Sequence, residues 1–398
     1  MMKLDAYATF VAASLVLLLG RRLVAATPPL RTYSIPEPVA GGLIVALGLL
    51  ALRLWGGVVV EFDTGMQGTL MLAFFATIGL SANLALLVQG GRALGLFLAV
   101  VVGLLLVQNT IGVALATLLG LDPLIGLIAG SITLSGGHGT GAAWGAVFSE
   151  RYGVTGATEL ALACATFGLV LGGLIGGPVA RYLVKRTRGP EAALSAEEAP
   201  TGFEQPDAVR LITAPAMIET LALIAVSLSA GSSLARLLHG SPLELPAFVC
   251  VLFVGVLLRN GLQALGWYSV FDRAVSVVGN VALSLFLAMA LMSLRLWELA
   301  ELALPMLVLL TAQATAMAAY AIWITFRAMG SNYDAAVLAA GHCGFGLGAT
   351  PTAIANMQAI TEHFGPSHLA FMLVPIVGAF FIDIANVVVI KLFLAMVG

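Results

Sequence analysis

Apolar residues along this chain are gathered into runs of about 20 residues, separated by short polar stretches. A run of that length predicts a membrane-spanning α-helix, because each helical residue advances about 1.5 Å and the hydrocarbon core is about 30 Å thick. We predict ten such spans, at about 6–26, 38–55, 69–88, 94–119, 158–183, 211–236, 246–263, 274–294, 302–326 and 369–394. The fold class is therefore an all-α polytopic membrane protein.

Two further segments, at about 124–147 and 335–358, do not fit the pattern of a lipid-facing helix. Each is rich in Gly, Ser and Thr and lies between the fourth and fifth spans of its half. Irregular backbone at membrane depth is tolerated only where protein or a water-filled cavity surrounds it. We therefore predict two re-entrant hairpins that line a site.

The order of these segments indicates an internal repeat. A polar linker at 188–209 separates residues 1–187 from residues 210–398, and each half holds five spans and one hairpin. Shifting the first half along the second superposes matching landmarks: Asp122 on Asp334, Thr140 on Thr352, Glu150 on Glu362 and Ser81 on Ser293. Because five is an odd number of crossings, the second half must be inverted relative to the first.

Basic residues predict the orientation of this arrangement. With the N-terminus outside, twelve of the 18 Lys and Arg residues fall on the inner side. Basic residues favour the cytoplasmic face. Both termini are therefore expected on the outer side of the membrane, and the linker 188–209 in the cytoplasm.

Composition excludes several classes of protein. The chain is 60% hydrophobic and only 10% charged, with a mean hydropathy of +1.04, whereas soluble proteins carry about 25% charged residues. Its formal net charge of −2 comes without a basic stripe, which argues against nucleic acid as a partner. The three cysteines show no CxxC spacing, so neither a disulfide framework nor a transition-metal site is expected.

The first hairpin carries the sequence Gly-Ser-Ile-Thr-Leu-Ser-Gly-Gly-His-Gly-Thr-Gly over residues 130–141. Glycines let the backbone approach a ligand closely, and a helix that restarts after such a turn presents free N–H groups to a carboxylate. This pattern favours an anionic substrate. Close helix packing is the alternative explanation, since small residues also serve that purpose in membranes.

The second hairpin repeats the pattern, with a glycine-rich break and a helix restart at Thr350-Pro351. Pro suits a first helical turn and Thr suits a cap. Hydroxyl and amide side chains in both hairpins supply the oxygen ligands that an alkali cation needs. These residues are Ser135, Thr140, Thr350, Thr352 and Asn356.

Asp383 and Asn386 lie in the middle of the last span, where an ionised group is unfavourable unless it faces a partner or a cavity. Their i, i+3 spacing places them near one helix face. We expect them to hold Na⁺ or a substrate ammonium group, with an interhelical pair as the alternative. His138 and His342 lie in the hairpins, where they act either in proton coupling or as neutral hydrogen-bond anchors.

Long motifs in this sequence resemble those of the bacterial sodium/glutamate symporters. The resemblance runs nearly end to end and is carried by residues 35–42, 71–80, 134–144, 164–180 and 332–352. It implies Na⁺-dependent uptake of L-glutamate across the bacterial inner membrane, a homodimer and an elevator mechanism. It implies no enzymatic activity and no cofactor besides Na⁺ as the coupling ion.

The resemblance, together with the residue chemistry above, gives two sets of candidate site residues. The predicted substrate-binding residues are Ser135, Gly136, Gly137, Thr140, Thr350, Pro351, Thr352 and Asp383. The predicted sodium-binding residues are Ser135, Thr352, Asn356, Asp383 and Asn386. The alternative function is a sodium- or proton-coupled carrier of another organic anion, such as a di- or tricarboxylate. An intramembrane enzyme that uses His138 or His342 is disfavoured, because no acid, base or metal constellation accompanies them.

Overall fold

The structure is a computed structural model that describes residues 2–32, 35–57, 59–85, 91–187, 211–241, 244–293 and 302–397. The predicted linker 188–209 and the end of the predicted third span, 86–88, lie outside these residues. The first half contains α1 Ala6–Ala26, α2 Pro28–Thr32, α3 Glu37–Gly56, α4 Gly65–Ser81, α5 Gly91–Leu118, α6 Pro123–Ile132, α7 Gly137–Tyr152 and α8 Ala157–Val184. The second half contains α9 Ala214–Leu238, α10 Ala247–Ala264, α11 Asp272–Met292, α12 Ala303–Ala328, α13 Tyr333–Leu347, α14 Thr350–Phe364, α15 His368–Ile376 and α16 Ile382–Val397. Strands β1 Met2–Leu4 and β2 Val60–Phe62 form one short parallel pair.

Within the described residues, eight helices are long and apolar enough to cross a membrane. They are α1, α3, α5, α8, α9, α10, α11 and α12. The prediction of a polytopic all-α protein is confirmed, and eight of the ten predicted spans correspond to these helices. The other two stay predictions: α4 has only 17 residues, and a π-helical turn, Val377–Phe381, joins α15 to α16.

The helix α4 ends earlier than the hydrophobic run from which it was predicted. Its C-terminal end is held by Asn260 of α10, whose amide donates to the carbonyl oxygen of Ala82 (2.8 Å) and accepts from the N–H of Leu84 (2.9 Å). This side chain replaces the hydrogen bonds that a further helical turn would make. A contact between distant segments therefore sets the end of the helix.

Each of the two Gly-rich segments folds as a pair of helices with a short break between them, α6 with α7 and α13 with α14. The first helix of each pair begins on a side-chain cap. Asp122 accepts from the N–H of Leu124 (2.8 Å), and Asn332 accepts from the N–H of Ala335 (2.9 Å). Asp334, which the sequence register matched to Asp122, instead accepts a hydrogen bond from Ser367 (2.6 Å).

The helices pack as two groups. The first group comprises α1, α3, α4, α9, α10 and α11, and the second comprises α5 to α8 and α12 to α16. Glycine allows close approach within each group: a Cβ added at Gly79 of α4 would lie 3.0 Å from the Cα atom of Gly255 in α10. The groups meet where the ring of Phe248 contacts Trp144 edge-on, with centroids 5.5 Å apart.

Candidate functional site

A cavity of about 890 Å³ lies between the two groups of helices. One wall consists of the breaks in the two helix pairs together with Asp383 of α16. The opposite wall consists of α4, α11 and the start of α3. Six of the predicted site residues line this cavity: Ser135, Gly136, Gly137, Thr350, Pro351 and Asp383.

The N-termini of α7 and α14 converge on this cavity. Gly137, the first residue of α7, has a φ of +68°, which is the left-handed region that glycine tolerates. A Cβ at this position would lie 3.5 Å from the carbonyl oxygen of Gly348, so the two breaks face each other closely. Among the described residues, no side chain caps the N-terminus of either helix. Their first backbone N–H groups are therefore free to bind an anion, with the positive ends of both helix dipoles behind them.

A hydrogen-bonded bridge fixes the two breaks to each other. Ser135 Oγ donates to Gln108 Oε1 of α5 (2.7 Å) and lies 3.2 Å from the carbonyl oxygen of Gly346. Gln108 Nε2 donates to the same carbonyl oxygen (2.7 Å). The first break is thus tied through α5 to the end of α13. Gln108 therefore joins α5 to α13 and also positions Ser135, a residue that lines the cavity.

Thr350 is the first residue of α14 rather than its cap, so the prediction of a threonine cap is wrong. The N-cap position is Ala349, whose backbone is extended. Thr350 Oγ1 instead donates to the carbonyl oxygen of Gly378 (2.7 Å), within the π-helical turn that precedes α16. This bond connects the second break to the helix that carries Asp383.

Asp383 and Asn386 occupy different surroundings despite their i, i+3 spacing. Asp383 lines the cavity. Asn386 is fully buried, and its Nδ2 donates to the carbonyl oxygen of Ser131 (2.9 Å) in the last turn of α6. The two side chains therefore do not line one surface of the cavity.

The remaining predicted residues lie behind the helix breaks, outside the residues that line the cavity. Thr140 packs on Gly136 from within α7, and Thr352 is buried in α14. Asn356 Nδ2 donates to the carbonyl oxygens of Gly172 (2.9 Å) and Ala340 (3.4 Å), which joins α14 to α8 and α13.

Sequence reasoning missed the polar stripe that faces the helix breaks. Asp272, Ser276, Asn280 and Ser284 of α11 line the cavity at intervals of four residues, which places them on one helix face. That interval in an otherwise apolar span is a signal that could have been read from the sequence. Arg259 of α10 donates to both carboxylate oxygens of Asp272 (2.5 and 3.3 Å) and so neutralises this end of the cavity wall.

Both hairpin histidines are anchored by hydroxyl groups of neighbouring helices. His138 Nε2 lies 3.0 Å from Thr166 Oγ1 of α8, and His342 Nδ1 lies 2.9 Å from Thr325 Oγ1 of α12. His138 also lines the cavity, whereas His342 is fully buried and stacks on Phe345.

A second cavity, of about 960 Å³, lies at the other end of α4. Glu244, in the connection between α9 and α10, contacts Arg151 at the end of α7 and His239 (2.9 Å). Its carbonyl oxygen accepts from Lys391 Nζ of α16 (2.7 Å). These contacts link the two groups of helices on that side.

Comparison with known proteins places the whole chain in one family. The family model described as sodium/glutamate symporter matches residues 2–366. The chain is 68% identical over 394 residues to the sodium/glutamate symporter of Escherichia coli (strain K12), covering 99% of this chain and 98% of that protein. Its identity to the sodium/glutamate symporter of Haemophilus influenzae is 54% over 394 residues, covering 98% of both chains. These matches include both helix pairs and the cavity between them, and the chain belongs to the sodium/glutamate symporter family.

Proposed function

We propose that this chain is a secondary transporter that imports L-glutamate together with Na⁺ across the bacterial inner membrane. The observation that carries this proposal is the cavity, where two uncapped helix N-termini face Asp383 and a polar wall. The names of the relatives support the same substrate and ion.

The chemistry of the cavity suits an amino acid with an additional carboxylate. Free N–H groups at the starts of α7 and α14 bind the two carboxylates, as helix N-termini do for anions. Asp383 receives the ammonium group, because its carboxylate is the acidic side chain that α16 contributes to the cavity. The hydroxyl groups of Ser135 and Thr350 are held by backbone or amide partners, so the wall is rigid before the substrate arrives.

Coupling to Na⁺ follows from charge balance. Glutamate brings two negative groups and one positive group, so its binding leaves a net negative charge in a region of low dielectric constant. A bound Na⁺ compensates that charge, and each ligand therefore raises the affinity of the site for the other. Such reciprocal linkage keeps Na⁺ from crossing without substrate.

Uptake into liposomes tests this function. Purified protein is reconstituted, labelled L-glutamate is placed outside, and a Na⁺, K⁺ or proton gradient is imposed in turn. We expect uptake only with the inward Na⁺ gradient and full competition by unlabelled L-glutamate. Uptake on a proton gradient alone would instead indicate the alternative of proton coupling, with His138 as the candidate group. Competition by a di- or tricarboxylate but not by L-glutamate would identify another organic anion as the substrate.

The order of the elements supports two inverted repeats within the predicted halves 1–187 and 210–398. α5 Gly91–Leu118 corresponds to α12 Ala303–Ala328, and α8 Ala157–Val184 corresponds to the α15–α16 segment that begins at His368. The starting residues differ by 303 − 91 = 212 and 368 − 157 = 211, close to the shift between Asp122 and Asp334. With ten spans, both termini lie in the periplasm, on the evidence of the basic residues.

The division into two groups of helices supports an elevator movement, in which the second group slides against the first and carries the helix breaks across the membrane. In such a movement the contacts of Glu244 with Arg151 and Lys391 belong to one end state and break on the way to the other. The homodimer is proposed on the family resemblance alone.

A further inference from the structure

Buried polar side chains form a cluster around the last turn of α6, outside the set of residues that line the cavity. That turn, Ile128–Ile132, is π-helical, and Gly130 within it has non-helical dihedral angles (φ −99°, ψ −138°). Asn109 of α5 and Asn386 of α16 form hydrogen bonds with the backbone of Ser131 in this turn, and Gln313 of α12 donates to the carbonyl oxygen of Gln108, next to Asn109. All three amide side chains and Ser131 are fully buried, and none of them lines the cavity.

Backbone partners fix the orientation of two of these amides around Ser131. Ser131 N–H donates to Asn109 Oδ1 (2.9 Å), so the Nδ2 group of Asn109 points away. Asn386 Nδ2 donates to the Ser131 carbonyl oxygen (2.9 Å), so the Oδ1 atom of Asn386 points away. Reversing either amide would place two donors or two acceptors against each other.

Several polar atoms of the cluster then have no protein partner. Among the described residues, Ser131 Oγ, Asn386 Oδ1, Asn109 Nδ2 and Gln313 Oε1 are buried without a hydrogen bond. Gln313 is oriented in the same way, because its Nε2 donates to the carbonyl oxygen of Gln108 (2.7 Å). Buried polar atoms almost always have a hydrogen-bond partner, so four buried atoms without a partner in one cluster indicate a bound ligand.

The geometry points to a Na⁺ site at the break in α6, with Ser131 Oγ and Asn386 Oδ1 as its side-chain ligands. This inference rests on the proposed Na⁺ coupling and adds a site distinct from the cavity. The unpartnered atoms of Ser131, Asn386 and Gln313 are oxygens, and hard cations such as Na⁺ bind oxygen ligands. The non-helical dihedral angles of Gly130 interrupt the regular helix at this turn, and broken membrane helices are where Na⁺ binds in other transporters.

The fourth atom without a partner, Asn109 Nδ2, is a hydrogen-bond donor and cannot ligate a cation. It is placed to donate to a water molecule that completes the coordination of the ion. The arrangement ties α16, which carries Asp383, to the break in α6. Occupation by Na⁺ therefore favours the placement of Asp383 and of the first break in the cavity.

Removal of the Ser131 hydroxyl tests the site. Ser131→Ala and the nearly isosteric Ser131→Cys are reconstituted, and the Na⁺ concentration that gives half-maximal L-glutamate uptake is measured. We expect that concentration to rise about tenfold, the equivalent of one lost oxygen ligand. Uptake at saturating Na⁺ should keep its apparent affinity for L-glutamate.

A neighbouring hydroxyl provides the matched control. Thr133 is equally buried, but its Oγ1 already donates to the carbonyl oxygen of Ile128 (2.6 Å). Thr133→Val should keep the wild-type dependence on Na⁺. A second readout without transport is the rise in melting temperature that Na⁺ alone produces in purified protein, which should shrink in both Ser131 variants and persist in Thr133→Val.

Three possible results of these measurements distinguish support for the Na⁺ site, loss of the site alone, and loss of the proposed function. A raised Na⁺ requirement in both Ser131 variants, but not in Thr133→Val, supports the site. Wild-type Na⁺ dependence in the Ser131 variants, or an equal loss in Thr133→Val, overturns it and leaves Na⁺-driven uptake standing. Wild-type uptake that needs no Na⁺ overturns the proposed function itself, and the site with it.

Discussion

Replacing Gly136 with leucine is expected to abolish uptake while the protein still inserts into the membrane. A Cβ atom at this position would lie 2.5 Å from the carbonyl oxygen of Ile132 and 2.8 Å from Thr140 Cβ. Both distances are well below van der Waals contact, so the first break must move and α7 with it. A shift of about 1 Å in a binding site is enough to lower activity about a hundredfold.

Gly177→Leu in α8 is the matched control, because within the described residues no atom beyond the adjacent backbone of α8 lies within 4 Å of the Cβ that it would add. Labelled L-glutamate uptake is compared at equal amounts of folded protein, judged by gel filtration. Normal uptake by Gly136→Leu would refute the role of this break in the site. A loss in both variants would show only that added bulk in the second group of helices is harmful.

Asp383→Asn is expected to lower L-glutamate uptake at least about tenfold, since in the proposed binding mode it removes the negative charge that faces the substrate ammonium group. The amide keeps the size of the carboxylate, so packing in α16 should be retained. Asp383→Glu keeps the charge and should retain more uptake than Asp383→Asn. Glu362→Gln, which neutralises an exposed carboxylate in α14, is the control and should behave as wild type.

The measurement that checks this role is the uptake rate as a function of L-glutamate concentration at saturating Na⁺. Loss of the ammonium contact should raise the half-saturating concentration of L-glutamate. Unchanged kinetics in Asp383→Asn would contradict the assignment of Asp383 to the substrate.

Helix positions followed from the sequence wherever local patterns alone decide them. The first run, predicted at 6–26, matches α1 Ala6–Ala26, because a long apolar segment begins directly after Asp5, which caps it. The end of α4 could not be predicted in this way. It depends on Asn260, a residue 176 positions from Leu84.

The candidate site was predictable in part for similar reasons. Glycine breaks and an aspartate in the middle of a span stand out in an apolar chain, and six residues chosen on those grounds line the cavity. Asn386 shares a helix face with Asp383 in sequence, but an offset of three residues is also a rotation of about 60°, which directs it toward α6. The stripe of α11 was missed because Ser276 and Ser284 are small and neutral, a composition also typical of helix packing.

Protection of the cavity from a thiol reagent shows whether glutamate binds there and whether its binding requires Na⁺. Ser276 and Ser229 are both exposed serines, but Ser276 lines the cavity at the helix breaks and Ser229 lines the cavity at the other end of α4. The three native cysteines are buried, so a polar maleimide should label the introduced thiols of Ser276→Cys and Ser229→Cys selectively.

The labelling rate is measured in NaCl and in KCl, with and without L-glutamate. We expect that L-glutamate at ten times its dissociation constant slows labelling of Ser276→Cys about tenfold in NaCl only. Labelling of Ser229→Cys should not slow. Equal labelling of Ser276→Cys with and without L-glutamate in NaCl, or equal protection in KCl, would contradict Na⁺-dependent binding of glutamate in this cavity.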